Sequence, residues 1–258
     1  MTGHRLRGAV AAALLVLVAV QGVDAGSGYS QTIYRSGAFS TQATDYYCTA
    51  AVVQNVVNLV TGESHFGRAE QAELYAYGRA HNRYSYKARG VDPQGLEAML
   101  ERSLPGTDWR QIRKKTLQAA LRTAARRMRA TGLPAVLFVA GGSHVWTMNG
   151  YTATRDPAAG KRFRVTHVRF SGPHYPKQKA RYGWFDLPPN TRRPVDKLAM
   201  AYFPYRERLA FGDRRSTPWN GYYVALVPWS VDVKPEPTPT PTPAPTPTPE
   251  VTLSHKHI

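Results

Sequence analysis

Residues 49 to 60 read Thr-Ala-Ala-Val-Val-Gln-Asn-Val-Val-Asn-Leu-Val. The valines and the leucine recur at helical spacing along one side of this stretch, whereas Asn55 and Asn58 fall on the other. Apolar residues spaced in this way predict an amphipathic helix whose apolar side faces a core. Gly62 comes soon after and is a residue type that commonly ends helices, so the helix is predicted to stop there.

The only cysteine of the chain, Cys48, lies at the start of this helix. Asp45 is a good N-cap and places Tyr46, Tyr47 and Cys48 in the first helical turn. A thiol there faces unpaired backbone N–H groups and the positive end of the helix dipole, and both favour the thiolate. The alternative is that Cys48 is a small apolar residue at a buried helix start. Gln42 favours a reactive thiol, because a side-chain amide just upstream can donate a hydrogen bond to a developing oxyanion.

The rest of the chain first continues the helical pattern and then changes to a strand pattern. Further helices are predicted over residues 68–81, 92–100 and 108–132. Asp92 and Asp108 are the predicted caps of the second and third of these. Strands are predicted over residues 135–140, 144–154, 162–170 and 222–227. Helices followed by an antiparallel sheet predict an α+β fold.

A thiolate nucleophile needs a base that pairs with it and later protonates the leaving group. His144 is the best candidate, because it follows Gly141-Gly142-Ser143 and begins a predicted strand. It is therefore expected at the edge of the sheet, with backbone room beside it. The alternative is a hydrogen-bonded histidine of the core.

Two segments together resemble a known family. Residues 42 to 54 read Gln-Ala-Thr-Asp-Tyr-Tyr-Cys-Thr-Ala-Ala-Val-Val-Gln, and residues 141 to 151 read Gly-Gly-Ser-His-Val-Trp-Thr-Met-Asn-Gly-Tyr. This combination resembles the papain-like cysteine peptidases, specifically the C39-like (bacteriocin-processing type) branch. Those proteins have a Gln, five residues and a Cys that opens a helix, and later a Gly-His before an apolar strand that ends in Gly-Tyr or Gly-Phe. The likeness spans about residues 40 to 172.

The resemblance implies roles for three residues. Cys48 would be the nucleophile, His144 the general base and acid, and Gln42 the oxyanion-hole side chain beside the backbone N–H of Cys48. It also implies a papain-like fold, a peptide or related amide substrate and an acyl-enzyme on Cys48. Ser143 stands between the glycines and His144, which departs from the Gly-His pattern of the family.

The sequence has no Asp or Asn at the position where the family has its third catalytic residue. Members of the family add an Asp or Asn that orients the histidine at the end of the next strand, where this chain reads Phe-Ser-Gly-Pro over residues 170–173. Asp156 lies in the predicted turn, roughly 30 Å or more from His144 at about 3.3 Å per residue, and is interpreted as a turn residue. A regular hairpin would bring Ser171 opposite His144, where its hydroxyl or a backbone carbonyl can orient the ring. The alternatives are a Cys-His dyad that works with Gln42 alone, or a weakened or inactive site.

The two ends of the chain differ in composition from the middle. Residues 1–25 combine early arginines, an apolar run and a small-residue cleavage pattern, which predict a signal peptide and export. Residues 234–258 begin with a Pro/Thr-rich stretch that cannot bury a core, so a disordered tail is predicted there. Residues 26–233 remain as one domain, and we expect the protein to be secreted, extracellular or associated with the cell wall.

The net charge of +17 and the pI of about 10.2 favour acidic surroundings such as an anionic cell-surface polymer. Arginines cluster near residue 126, but no nucleic-acid recognition motif accompanies them, and export argues against nucleic acid as a partner.

The sequence thus supports a secreted cysteine peptidase or amide hydrolase. The same residues could also support a peptidoglycan amide hydrolase or an acyltransferase. The alternative is a non-catalytic exported basic module of the same fold on a Pro/Thr stalk. We expect a monomer with no cofactor, no metal and no transmembrane segment.

Overall fold

The computed structural model describes residues 28–84, 90–176, 186–206 and 217–232. The predicted signal peptide, residues 1–25, and the predicted tail, residues 234–258, lie outside the described residues. Within the described ranges, no helix is both long enough and apolar enough to cross a membrane.

The described part of the chain forms helices on both sides of a sheet. The helices are α1 (Cys48–Thr61), α2 (Arg68–Ala80), α3 (Pro93–Ser103), α4 (Leu117–Thr131) and the single turn α5 (Val195–Leu198). The strands are β1 (Tyr29–Thr32), β2 (Thr107–Lys114), β3 (Ala135–Val139), β4 (His144–Ala153), β5 (Val165–Ser171), β6 (Thr191–Pro194) and β7 (Tyr223–Val231). Short 3-10 turns cover Ala140–Gly142 and Pro157–Ala159.

The strands form one antiparallel sheet in the order β2-β7-β3-β4-β5-β6. β4 is central: β3 pairs with its first half, where Val139 lies opposite His144, and β1 pairs with its second half. The hairpin of β4 and β5 turns at Asp156, as predicted, and Asp156 accepts a hydrogen bond from the backbone N–H of Ala158. Helices followed by an antiparallel sheet confirm the α+β class.

The core lies in two layers because the strands alternate their side chains. On one face Leu137 packs with α4 and with the aromatic side chains of β4 and β5. On the other face Val136 and Phe138 pack with α1 and α3. β7 alternates in the same way, so both faces of the central strands are buried and their sequences read as continuous apolar runs. The helix that begins at Cys48 and the helix α4 therefore cover opposite faces of the sheet.

Two predicted helix boundaries are confirmed. α1 ends at Gly62, whose φ of 78° lies in the left-handed region that glycine adopts without strain. α3 begins after Asp92, whose carboxylate accepts a hydrogen bond of 2.9 Å from the backbone N–H of Gly95. Pro93 occupies the first helical position, where its missing N–H costs nothing.

One predicted boundary is wrong. Asp108 does not cap a long fourth helix, because residues 107–114 form strand β2 at the edge of the sheet. The two buried residues of β2, Trp109 and Ile112, are three positions apart and belong to opposite faces of the sheet, a spacing that imitates a helical stripe. α4 begins later, after Thr116, whose hydroxyl accepts a hydrogen bond from the N–H of Ala119.

Candidate active site

Cys48 is the first residue of α1 and is half-buried. The prediction that Asp45 caps this helix is wrong: Tyr47 occupies the cap position, and no described side chain caps it by a hydrogen bond. A turn closed by the N–H of Tyr47 and the carbonyl of Thr44 separates Asp45 from the helix, and the Asp45 side chain is 88% exposed. The first-turn N–H groups beside Cys48 are thus left to the sulfur or to a ligand.

His144 begins β4 directly after a tight turn of two glycines. Gly141 and Gly142 have φ values of 66° and 96°, which a residue with a Cβ adopts only with strain. A Cβ at Gly142 would also overlap the ring of Tyr205. The turn holds His144 at the start of β4, where the side chain of Cys48 is close enough to interact with its imidazole. The structure therefore brings together Cys48 and His144, which are 96 positions apart in the printed sequence.

The carboxylate of Asp186 contacts the imidazole of His144 from the loop after β5. Its Oδ2 lies 3.0 Å from Nε2 of His144, and its Oδ1 lies 3.3 Å from the same nitrogen. The indole N–H of Trp146 donates to Oδ1 at 2.6 Å, and the backbone N–H of His174 donates to Oδ2 at 2.6 Å. The side chain is only 3% exposed. A buried carboxylate with these donors is fixed in place and fixes the ring of His144 in turn.

The contacts make His144 a cation and Asp186 an anion. Burial by itself would lower the pKa of His144, but hydrogen bonds with Asp186 and Cys48 outweigh burial and raise the pKa from 6.5 to about 10. Burial likewise raises the pKa of Asp186, but the hydrogen bond with His144 and the donors from His174 and Trp146 hold it below its ordinary value. The raised pKa of His144 favours an imidazolium between the carboxylate of Asp186 and the side chain of Cys48.

Ser171 does not orient His144, contrary to the sequence prediction. The connection between the two strands pairs Ala153 with Val165, and the register that follows from this pair places Ser171 opposite Thr147 instead of His144. Its hydroxyl accepts hydrogen bonds from Nδ2 of Asn149 at 2.6 Å and from the backbone N–H of Asn190 at 3.0 Å. Ser171 is buried and ties the loop before β6 to the middle of β4. The contact expected of Ser171 belongs to Asp186.

Gln42 lies in the loop that leads into α1 and is buried. Its Nε2 donates to the carbonyl of Thr44 at 2.7 Å, and its backbone N–H donates to the carbonyl of Pro173 at 2.7 Å. The second of these bonds joins the loop before Cys48 to the loop after β5, which also supplies the N–H donor of Asp186. The two loops therefore form one frame around the sulfur and the carboxylate.

Aromatic rings surround this frame. Tyr46, Tyr47 and Tyr75 contact one another, with ring centroids 4.8 to 5.5 Å apart. On the other side the ring of His174 lies 6.4 Å from that of His144. Trp146, which donates to Asp186, stacks on Phe170 with centroids 4.2 Å apart. The side chains of His144 and Asp186 are only 18% and 3% exposed, and such limited contact with water strengthens the charge interaction between them.

Sequence reasoning missed Asp186 because it lies beyond the strand where the acid was expected. A signal was nevertheless available: between Asp156 and Asp196 the chain has a single acidic residue, which is Asp186. Asp156 itself pairs with Arg129 at the far end of the hairpin, in agreement with its interpretation as a turn residue. Among the described residues, no group of three or more His, Cys, Asp or Glu side chains lies together as a metal site would require.

No protein-family model matches this chain, and no curated protein is similar to it. What defines the site is therefore its own geometry: a thiol at a helix start, an imidazole beside it at a strand start, and a buried carboxylate that forms a hydrogen bond with that imidazole. This is the arrangement of a Cys-His-Asp constellation on an α+β fold.

Proposed function

We propose that this protein is a secreted cysteine peptidase or amide hydrolase of papain-like fold, acting through Cys48, His144 and Asp186. The observation that carries the proposal is a series of three side chains: the carboxylate of Asp186 forms a hydrogen bond with the imidazole of His144, and this imidazole interacts with the side chain of Cys48. A nucleophile, a base and a group that orients the base are the three parts such a reaction needs.

The charge state of His144 supports the nucleophilic role of Cys48. A protonated imidazole beside a sulfur stabilises the thiolate, which is the form that attacks a carbonyl carbon. The N-terminus of α1, with no side-chain cap from the described residues, adds positive potential at the same place. Asp186 in turn stabilises the imidazolium and holds its orientation.

The reaction then follows from these positions. The thiolate of Cys48 adds to the carbonyl carbon of an amide, and the carbonyl oxygen becomes an oxyanion. The imidazolium gives its proton to the leaving nitrogen, the C–N bond breaks, and an acyl group stays on the sulfur. Neutral His144 then takes a proton from a water, whose oxygen attacks the thioester, and the acid product leaves with Cys48 restored as thiolate.

The oxyanion would be stabilised by the backbone N–H of Cys48 and the side-chain amide of Gln42. Gln42 is held in the loop directly before Cys48 by its hydrogen bond to Thr44, so its position relative to the sulfur is set by the same short segment. Donors fixed before the charge develops lower the barrier without reorganisation.

The fold supports the same class. The nucleophile opens a helix that packs on an antiparallel sheet, and the histidine begins a central strand of that sheet. Both positions match those that the resemblance to the papain-like C39 branch implies, and Asp186 supplies the orienting acid from the loop after β5.

The test is the reactivity of Cys48 in the folded protein. Iodoacetamide at neutral pH should label Cys48 rapidly, and mass spectrometry reports this one site because the chain has no other cysteine. His144→Ala should slow labelling strongly, since it removes the cation beside the sulfur. His167→Ala is the matched control, because His167 lies on β5 with its ring near Thr166 and should not change the rate.

A second measurement addresses turnover. With p-nitrophenyl acetate, the protein should release a burst of one nitrophenolate per Cys48, and Cys48→Ser should abolish the burst. Labelling of Cys48 only after denaturation, together with no burst, would contradict the proposal. The non-catalytic basic module would then be the better interpretation.

A further inference from the structure

Three arginines line one cavity on the face of the sheet opposite Cys48. The cavity has a volume of about 360 Å³, and its described lining consists of Arg122 and Arg126 from α4 and Arg162 from the connection between β4 and β5. This volume is in the range of small-molecule pockets, but such pockets are mostly apolar. The three residues that line this cavity carry guanidinium groups, which are suited to an anion.

These arginines differ from their neighbours on the same helix. Arg129 forms an ion pair with Asp156 at 3.1 Å, and Arg127 donates to the carbonyl of Pro228 and lies over the ring of Trp229. By contrast, Arg122 and Arg162 have neither an ion pair nor a hydrogen bond with any described residue.

Arg126 likewise has neither an ion pair nor a hydrogen bond with any described residue, but its guanidinium lies over the ring of Phe163, 5.3 Å from the ring centroid. The charges that face the cavity are therefore not neutralised within the described part of the molecule.

The arrangement costs the fold some stability. Arg122 and Arg126 are four positions apart on α4, so they lie on one side of the helix, where like charges repel. Arg162 brings a third positive charge from another element into the same space. Unpaired like charges gathered around a cavity are what a binding site for a multiply charged anion requires, because the ligand supplies the missing negative charge.

We propose that this arginine cavity, defined by Arg122, Arg126 and Arg162, binds a phosphomonoester group. Guanidinium forks match the oxygens of phosphate in bidentate hydrogen bonds. A phosphomonoester carries about 1.5 to 2 negative charges at pH 7, so it balances three guanidinium groups better than a carboxylate with one charge.

The site is independent of the proposed catalytic function. α4 and α1 cover opposite faces of the sheet, and Arg162 lies beyond the end of β4 that is remote from His144. β4 has ten residues, which at about 3.3 Å per residue separates its two ends by roughly 30 Å. Binding in the arginine cavity should thus leave the alkylation of Cys48 unchanged.

The test is calorimetric titration with glycerol 3-phosphate at low ionic strength. Arg126→Gln and Arg122→Gln should each weaken binding about tenfold, since each removes a charge-assisted contact. The double variant should show no measurable binding. Acetate at the same ionic strength should bind wild type at least about tenfold more weakly than the phosphate ester.

The matched control is Arg68→Gln/Arg193→Gln, which removes the same charge from exposed positions on α2 and β6. It should leave affinity within about twofold of wild type. Equal weakening by both double variants would overturn the site and indicate a general effect of net charge. Thermal unfolding without ligand keeps the result interpretable: glutamine is a good helix former, and the cavity variant should be at least as stable as wild type.

The phosphate group can belong to a soluble ester or to a lipid headgroup, and vesicles separate the two sources. Phosphatidylcholine vesicles that contain phosphatidic acid should retain wild type more strongly than the cavity double variant if the headgroup is recognised. Equal retention of both, with binding of glycerol 3-phosphate intact, assigns the cavity to soluble esters. Absence of binding to both probes overturns the proposal.

Discussion

Gly172 lies so close to the carboxylate of Asp186 that a Cβ at position 172 would overlap all three carboxyl atoms. The backbone of Gly172 is not in the left-handed region, so space alone requires the glycine. Gly172→Ala should therefore push the carboxylate away from His144. We expect the burst with p-nitrophenyl acetate to slow about 10²-fold, because a displacement of about 1 Å in a catalytic group has effects of that order.

The matched control for this variant is Gly67→Ala. A Cβ at Gly67 meets no atom of the structure nearer than 3.8 Å, and its φ of −70° suits alanine. This control should keep the burst rate of wild type. A Gly172→Ala variant that is folded and as fast as wild type would show that the position of Asp186 does not matter for the reaction.

Asp186→Asn tests the charge of the acid. Both oxygens of Asp186 accept hydrogen bonds, whereas an asparagine has only one oxygen that can accept. Its NH2 group must therefore face either the indole N–H of Trp146 or the N–H groups of His144 and His174. Loss of one partner from a buried ion pair costs about 3–5 kcal/mol. We expect the free energy of unfolding, measured in urea, to fall by about that amount and the labelling of Cys48 to slow.

Asp156→Asn is the comparable change at the other end of the hairpin. It weakens the ion pair with Arg129, whose two side chains are each 33% exposed, and such pairs contribute about 0–1 kcal/mol. The rate of Cys48 labelling should not change. Similar losses of rate in both variants would mean that the effect of Asp186→Asn is one of general stability.

The raised pKa of His144 makes the stability of the fold depend on pH. Burial lowers this pKa, but the hydrogen bonds with Asp186 and Cys48 raise it above the unfolded value of 6.5 to about 10. The stabilisation is therefore fully present below pH 6.5 and is lost as the pH rises through about 10. The free energy of unfolding of wild type should fall across this window more steeply than that of His144→Gln. Parallel curves for the two proteins would contradict the ion pair.

Gln42→Ala tests whether Gln42 stabilises the oxyanion without affecting the attack by the Cys48 sulfur. Alkylation of Cys48 by iodoacetamide forms no oxyanion, whereas acylation by p-nitrophenyl acetate does. The variant should keep the alkylation rate within about threefold and lose about 10²-fold or more in acylation, as removal of an oxyanion donor does elsewhere. Equal losses in both reactions would assign Gln42 to holding the loop through Thr44 instead.

The fold was predictable where local pattern and tertiary position agree. α1 ends at Gly62 and α3 begins after Asp92 because the residue types at these boundaries satisfy the backbone locally. β2 was not predictable in this way, since Trp109 and Ile112 face opposite layers of the core and their spacing of three resembles a helix. Edge strands that contact both layers lose the alternation that identifies a strand.

The same distinction applies to the site. Cys48 and His144 stand at element boundaries with recognisable neighbours, so the sequence could single them out. Asp186 lies in a loop and reaches His144 only through tertiary structure, and its place depends on donors from Trp146 and His174 that no local pattern reveals. The turn from Thr44 to Tyr47 separates Asp45 from the helix, and no local pattern in the sequence distinguishes this turn from a helix start.

Ser171→Ala distinguishes a structural from an orienting role. The hydroxyl of Ser171 accepts from a buried donor, Nδ2 of Asn149, and from a half-buried one, the N–H of Asn190, so its loss should lower the free energy of unfolding by about 1–3 kcal/mol. The labelling rate of Cys48 in the folded variant should stay within about twofold of wild type, because His144 relies on Asp186. Ser143→Ala, an exposed serine directly before His144, should change stability by less than about 0.5 kcal/mol. A large fall in the labelling rate of Ser171→Ala without a fall in its free energy of unfolding would show that Ser171 orients His144.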